Sequence, residues 1–416
     1  MSGKAYLRLV VLGAVIGLPA AAVAAGFLAL VHELEDVFWH DLPDALGRTA
    51  PPWYLVVGLP VVGALVVLAA RRLLPGDGGH EPLDGISGAP TPIAHAPGVA
   101  LAALGTLVFG AVLGPEAPLI ALGSVVGLAI TRVVDVAPEH HRVLALAGSF
   151  SAISALFGGP LTAGILLVEA SVGLGRMAIP VLVPGLVAAA FGFLLFTGLG
   201  SWGGLDQSDL EVPGLPPYEG VHLGDLLLGV VIGVMIAIVV EVVRIGGRRV
   251  LAGRDAAGTG TTLLVGGLAV GLLALAADAL GADPTDVLFS GQSSIPDLVV
   301  EDSASVVLVV LAAKGLAYAV CLGCGFRGGP VFPAIFLGIG LATVAVIAFD
   351  VSPTLAVAIG TAAGMAAMTR LLFAALLISA VLVGSAGADT VPAAVLAGVA
   401  AWVTTTALER LAGRPA

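Results

Sequence analysis

The 416-residue chain is 58% hydrophobic and only 11% charged, against about 25% charged for a soluble domain. Its formal net charge is −11. A soluble enzyme, a nucleic-acid partner and a disordered chain are excluded, because only a bilayer accepts so much apolar surface on the outside of a fold. The expected fold class is an all-α polytopic membrane protein. Its 58 Gly and 26 Pro include about twice the usual ~7% share of Gly. In membrane helices both residues mark close backbone approach and interruption, so broken, tightly packed helices are expected.

At the N-terminus, Lys4 and Arg8 precede an apolar run over 9–31 that has the outline of a secretory signal. However, Leu12-Gly13-Ala14-Val15-Ile16-Gly17 recurs as Leu228-Gly229-Val230-Val231-Ile232-Gly233. The first segment is therefore one copy of a repeated span and should remain in the mature protein. Pro118 with Pro330, Gly148 with Gly360, Ala155 with Ala367 and Ala163 with Ala375 extend the match, predicting a first repeat over 1–220 and a second over 221–416.

Charge then orients the copies. The first opens on Lys4 and Arg8, crosses to the acids Glu33, Glu35, Asp36, Asp41 and Asp44, and returns to Arg71-Arg72. The second starts after Asp206, Asp209, Glu211 and Glu219, crosses over 226–243 to Arg244, Arg248, Arg249 and Arg254, and returns to Asp283, Asp286, Asp297, Glu301 and Asp302. By the positive-inside rule the two are inverted and the N-terminus is cytoplasmic. Inverted-topology repeats characterise transporters and related channels, with the site where the repeats meet near the bilayer midplane.

Two interruptions stand at corresponding places. Gly114-Pro115-Glu116-Ala117-Pro118 leads into the apolar run 119–131, and Gly325-Phe326-Arg327-Gly328-Gly329-Pro330-Val331-Phe332-Pro333 leads into 334–349. Pro suits the first turn of a helix, so both read as helix starts. The first run is roughly 20 Å long at ~1.5 Å per residue, short of the ~30 Å hydrocarbon layer, so it should begin inside the membrane. Paired helix starts offer free N–H groups and partial positive charge without a buried full charge, which suits weak binding of a permeating anion. Glu116 is an ionisable residue at such a start, which makes it a functional candidate. Its carboxylate is favoured by the same N–H groups, so it would occupy the anion's place and leave on protonation. Alternatively, it is a helix-start acid on a wet loop.

These residues resemble the CLC family of chloride channels and chloride/proton exchangers, whose motifs are GSGIP, G(K/R)EGP and GxFxP. The resemblance runs from Leu9 to Ala416. Glu81-Pro82-Leu83, Gly88-Ala89-Pro90, the GPExP form at Glu116 and Gly325–Gly329 with Phe332-Pro333 resemble, more closely, a short and divergent bacterial branch named for ion transport. The resemblance implies an inverted-repeat fold with re-entrant helices, a homodimer with one pore per subunit, and Glu116 as the external gating glutamate. Backbone at Gly79, Ala117, Val331 and Phe332 would then bind the anion.

Departures from the family pattern are equally specific. The first motif falls on Gly78-Gly79-His80-Glu81-Pro82, placing Gly79 where the family has its central chloride-coordinating Ser. A second placement, on Gly85 to Pro90, restores that hydroxyl as Ser87 but shortens the following segment. His80 and Arg327 are candidate vestibule residues. In strict register Val331 takes the place of the family Phe, and Pro330 removes one N–H donor. Glu169 matches the first of two family acids, as a proton-path or structural acid, while Ala170 replaces the inner proton-transfer glutamate. None of Tyr6, Tyr54, Tyr218 and Tyr318 matches the family's pore Tyr, and no cytoplasmic regulatory domain is expected.

The main expectation is an anion pore, chloride by default, gated by Glu116 and channel-like or weakly proton-coupled. Alternatives are a chloride/proton antiporter, a transporter of fluoride or another small anion such as nitrate, and a non-transporting membrane scaffold. The expected location is the bacterial inner membrane. No enzyme activity, cofactor or metal is expected: the sequence carries no GxSxG, and His32-Glu33-Leu34-Glu35-Asp36 fails as HExxH at its last position. Cys321 and Cys324 form a lone CxxC in an apolar run and read as buried small residues.

Overall fold

The computed structural model describes residues 3–86, 88–170, 178–205 and 210–413, so Ser87, Asp206 and Asp209 lie outside the described residues. Within these, the chain is all-α. The helices are α1 (Gly3–Asp36), α2 (Leu42–Ala45), α3 (Trp53–Leu73), α4 (Ala96–Leu107), α5 (Glu116–Ile130), α6 (His141–Leu156), α7 (Pro160–Ala170) and α8 (Ala178–Thr197). They continue with α9 (Leu223–Ala257), α10 (Thr259–Asp278), α11 (Pro284–Val287), α12 (Ile295–Val300), α13 (Ala304–Cys324), α14 (Val331–Phe349), α15 (Pro353–Thr369), α16 (Leu372–Val383) and α17 (Val391–Leu411). Among the described residues 8 helical stretches are long and apolar enough to cross a membrane, whereas Ile93–Leu107, Glu116–Ile130, Pro160–Ala170 and Pro353–Thr369 are apolar but too short.

Small residues set the packing. Without a hydrophobic drive between helices in lipid, association rests on close van der Waals contact. On α1 a Cβ at Gly17 would fall 2.2 Å from the Ala188 carbonyl oxygen of α8, and on α9 one at Gly233 would fall 2.4 Å from that of Ala397 in α17. The shared LG-x-x-IG segment therefore performs the same packing task twice. The opposite faces of both helices carry exposed apolar side chains, among them Val11, Val15, Val231 and Val242, as lipid contact requires. The short helices α5 and α15 instead pack inside, against α6 and α14 respectively.

Charge sorts to two ends. Arg71 at the end of α3 and Arg254 at the end of α9 meet one loop cluster, where Arg71 donates to the Gly325 carbonyl (2.9 Å) and Arg254 to Glu81. At the other end, Glu35, Glu211, Gln292 and Pro296 line a single cavity of about 570 Å³. The arginines ending α3 and α9 thus share one face, and the acids that line the cavity share the other.

Candidate anion site

The two interruptions meet. Gly114 and Gly329 exchange both backbone hydrogen bonds at 2.7 Å, which ties the turn before α5 to the turn before α14. Pro115 and Pro330 occupy the position just before each helix. The sequence folds this way locally because a Pro-fixed backbone suits a helix start and leaves the following N–H groups without intrahelical partners.

Glu116, the first residue of α5, is fully buried. Its Oε1 accepts the backbone N–H of Val331, the first residue of α14, at 2.5 Å. Its Oε2 makes no hydrogen bond. Both neighbouring glycines are required by this approach: a Cβ at Gly114 would lie 2.2 Å from Oε2, and one at Gly329 2.1 Å from the carboxyl carbon. A carboxylate therefore sits where one helix start offers its free N–H, and an inorganic anion of similar charge would compete for the same donor.

The surrounding residues fix this geometry. Tyr318 is buried and its hydroxyl donates to the Pro330 carbonyl at 2.6 Å, so it holds the turn that presents Val331. Cys321 accepts the Val112 N–H through Sγ at 3.3 Å, which anchors the other turn. This gives the CxxC a packing and positioning role, and no metal-holding cluster occurs among the described residues. The ring of Phe332 stacks on Phe157 at 5.5 Å and 13°. The cavity on the acidic face is lined in part by Leu113, Pro115 and Phe332, residues of the two turns that flank Glu116.

On the basic side of the Gly325–Pro330 turn, Arg327 is buried rather than snorkelling at a rim, with 2% exposure. Its backbone N–H donates to Thr106 Oγ1 (3.0 Å), and its guanidinium contacts Asp77 (2.5 Å) and Glu81 (2.8 Å). Arg254 donates to both oxygens of Glu81, at 3.0 and 2.9 Å, and Arg71 donates twice to Asp77 at 2.8 Å. Burial by itself would push the Glu81 carboxyl up, but hydrogen bonds and attraction from Arg254 and Arg327 outweigh it and hold it below its ordinary value.

Among the other candidates, Ala117 follows Glu116 within the first turn of α5. Gly79 (φ +105°) belongs to the loop that carries Asp77 and Glu81 and faces Val99 of α4, while His80 beside it is half-buried. Glu169 accepts the N–H groups of Phe373 (3.0 Å) and Ala374 (2.9 Å) at the start of α16, so its carboxylate caps a helix. Buried polar residues also take positions that the sequence reading did not give them. One is Tyr318. Another is Lys314, whose Nζ donates to the carbonyls of Asp286 (2.8 Å) and Leu288 (2.7 Å) and lies 4.5 Å from the Phe336 ring centre. A single charged residue inside an apolar span is a signal that the sequence does carry.

A bundle of broken membrane helices with a carboxylate seated on a buried helix start belongs to the class of anion-transport proteins. Residues 80–405 match the family model described as voltage gated chloride channel, and the chain belongs to this CLC family. It is 28% identical over 338 residues, 78% of this chain and 76% of the relative, to YfeO of Escherichia coli O1:K1, which is assigned by name to ion transport, and equally to YfeO of Shigella boydii serotype 4. Its fold is similar to a slow cyanobacterial Cl−/H+ antiporter (TM-score 0.77, 19% identity, 98% of this chain and 96% of that one). It is also similar to a CLC-type fluoride/proton antiporter (TM-score 0.72, 20% identity, 97% and 96%).

Proposed function

We propose that the protein passes small inorganic anions, chloride by default, through a pore closed by Glu116, with passive or weakly proton-coupled conduction. The observation that carries this reading is the Glu116 carboxylate on the Val331 N–H. One buried donor serves either the protein's own acid or the permeating ion. Protonation removes the charge that competes for it, so acid favours release. The anion would then be held by backbone at Ala117, Val331 and Phe332, and nearer the basic face by the loop at Gly79, as neutral donors that bind weakly enough for the ion to leave.

Weak coupling is favoured over antiport by two features. Ala170 carries no titratable group, and the Glu169 carboxylate is engaged by the N–H groups that start α16. The second reading is proton-coupled exchange of chloride or fluoride, favoured by the likeness in fold to a Cl−/H+ antiporter and a fluoride/proton antiporter. Residues 1–220 and 221–416 act as inverted halves in this reading, the assembly is a homodimer in the bacterial inner membrane, and the basic face is cytoplasmic. The paired glycine packing of α1 on α8 and of α9 on α17 supports the two halves.

The test is flux from liposomes loaded with chloride, fluoride or nitrate, with proton movement followed in parallel. Wild-type flux should rise on acidification, and Glu116→Ala should flatten that dependence, with little uphill proton movement driven by a chloride gradient. Stoichiometric proton movement would establish exchange instead. Absence of anion flux from folded wild type and Glu116→Ala alike would leave the non-transporting scaffold.

A further inference from the structure

The N–H that holds Glu116 and the carbonyl that receives Tyr318 belong to one peptide group, the amide that joins Pro330 to Val331. On one side of it the Tyr318 hydroxyl donates to the Pro330 oxygen at 2.6 Å. On the other the Val331 nitrogen donates to Glu116 Oε1 at 2.5 Å. Phenol, amide and carboxylate thus form a single hydrogen-bonded chain, and Tyr318, Val331 and Glu116 are all 0% exposed. The start of α5 is built differently, for its Pro115 carbonyl accepts the N–H of Leu119 in the same helix, at 3.1 Å.

A hydrogen bond accepted by an amide oxygen draws electron density toward that oxygen and makes the N–H of the same amide a stronger donor, by roughly 10–30% per bond where water is excluded. The scaffold holds this chain in register. Tyr318 stands in α13 one turn before Cys321, and residues three apart share a helix face. Cys321 takes the Val112 N–H at 3.3 Å, so one face of α13 fixes both interrupted turns. A phenol strengthens the donor without placing a full charge beside the ion, which keeps binding weak enough for the ion to leave.

We propose that Tyr318 is a positioning residue that sets anion affinity through the Pro330–Val331 amide, polarising the N–H on which the ion binds without touching the ion itself. This rests on the anion-pore reading above and adds to it a residue that tunes the strength of the site from behind the backbone. Glu116 and a permeating anion use the same N–H, so both gain from the phenol and the competition between them changes little. The gain is exposed when Glu116 is removed and the ion alone occupies the donor.

The experiment measures chloride flux against symmetric chloride concentration in liposomes, in the Glu116→Ala background and at a pH where the phenols compared are protonated. Tyr318→Phe keeps the ring and removes the donor, and should raise the half-saturating chloride concentration about threefold, a modest fraction of one hydrogen bond to a charged group. It also leaves the Pro330 carbonyl without this partner, which costs stability. A second series therefore keeps the hydroxyl: ring-fluorinated tyrosines incorporated in place of Tyr318 are more acidic phenols, hence stronger donors of nearly the same shape. Half-saturation should fall below the parent value by about twofold, in the order of phenol acidity. A Tyr318 that only supports the turn would leave the fluorinated proteins at the parent half-saturation, whatever Tyr318→Phe does to melting temperature or maximal rate, and that result overturns the proposal. If the Glu116→Ala parent passes no anion, the pore reading fails and this inference falls with it, whereas a conducting parent with unmoved half-saturation sinks the inference alone.

Discussion

At the scale of single residues, the ion cluster around Glu81 makes a prediction independent of transport. Its carboxyl is held below the ordinary value because Arg254 and Arg327 outweigh its burial. A carboxyl with a depressed folded value binds protons less readily in the folded state than in the unfolded chain. Its contribution to stability is therefore complete above the unfolded carboxylate range, about pH 4.3 for Glu, and is lost as pH falls through the folded value. Wild type should melt above Glu81→Gln at neutral pH, and the gap should close on acidification, as followed by thermal unfolding in detergent from pH 7 to 3. A gap that persists unchanged at pH 3 would mean that the Glu81 charge does not stabilise the fold. Glu116 stood out in the sequence as an acid between Gly-Pro and Pro in an apolar run, although its contact with Val331 did not. Val331 entered the sequence reading through motif register alone. The Arg254 to Glu81 pair was not legible, since its partners are 173 residues apart and only tertiary packing brings them together.

At the scale of helices, glycine position decides which faces can touch. Gly17 and Gly26 both lie on α1 and look equivalent in an apolar run. A Cβ at Gly17 would sit 2.2 Å from the Ala188 carbonyl oxygen, whereas one at Gly26 meets nothing within 4 Å. Gly17→Ala should thus cost roughly 1–3 kcal/mol through overpacking, while Gly26→Ala should be neutral or slightly stabilising by up to ~1 kcal/mol from helix propensity. Melting temperatures of the two variants check this, and equal shifts would refute the packing account. The repeated LG-x-x-IG showed in advance that these positions matter, but not their partners. Helix extents were less legible. The span expected over 226–243 is part of α9, which runs from Leu223 to Ala257, because Arg and Ala past the apolar stretch are good helix formers and continue it toward the basic face. The starts at Pro115 and Pro330 were predicted closely, since Pro constrains the backbone locally.

At the scale of the whole molecule, the chain is acidic, yet its charges are segregated rather than mixed. The acids of α1 and of the 283–302 stretch lie toward the face with the large cavity, and the arginines ending α3 and α9 toward the other. An anion would cross from an acidic mouth to a basic one, so attraction for it is concentrated at helix starts and guanidiniums rather than spread over the surface. Basic residues predominate on cytoplasmic loops, which predicts Arg249 inside and Asp302 outside. Both positions are exposed, and the two native cysteines, Cys321 and Cys324, are buried, so the wild type should give little background with a membrane-impermeant maleimide. Asp302→Cys should be labelled on intact cells, and Arg249→Cys only after permeabilisation. The opposite pattern would invert the molecule in the membrane. The cavity lined by Glu35 and Pro115 would then open to the cytoplasm, and the Glu81 cluster would face the outside.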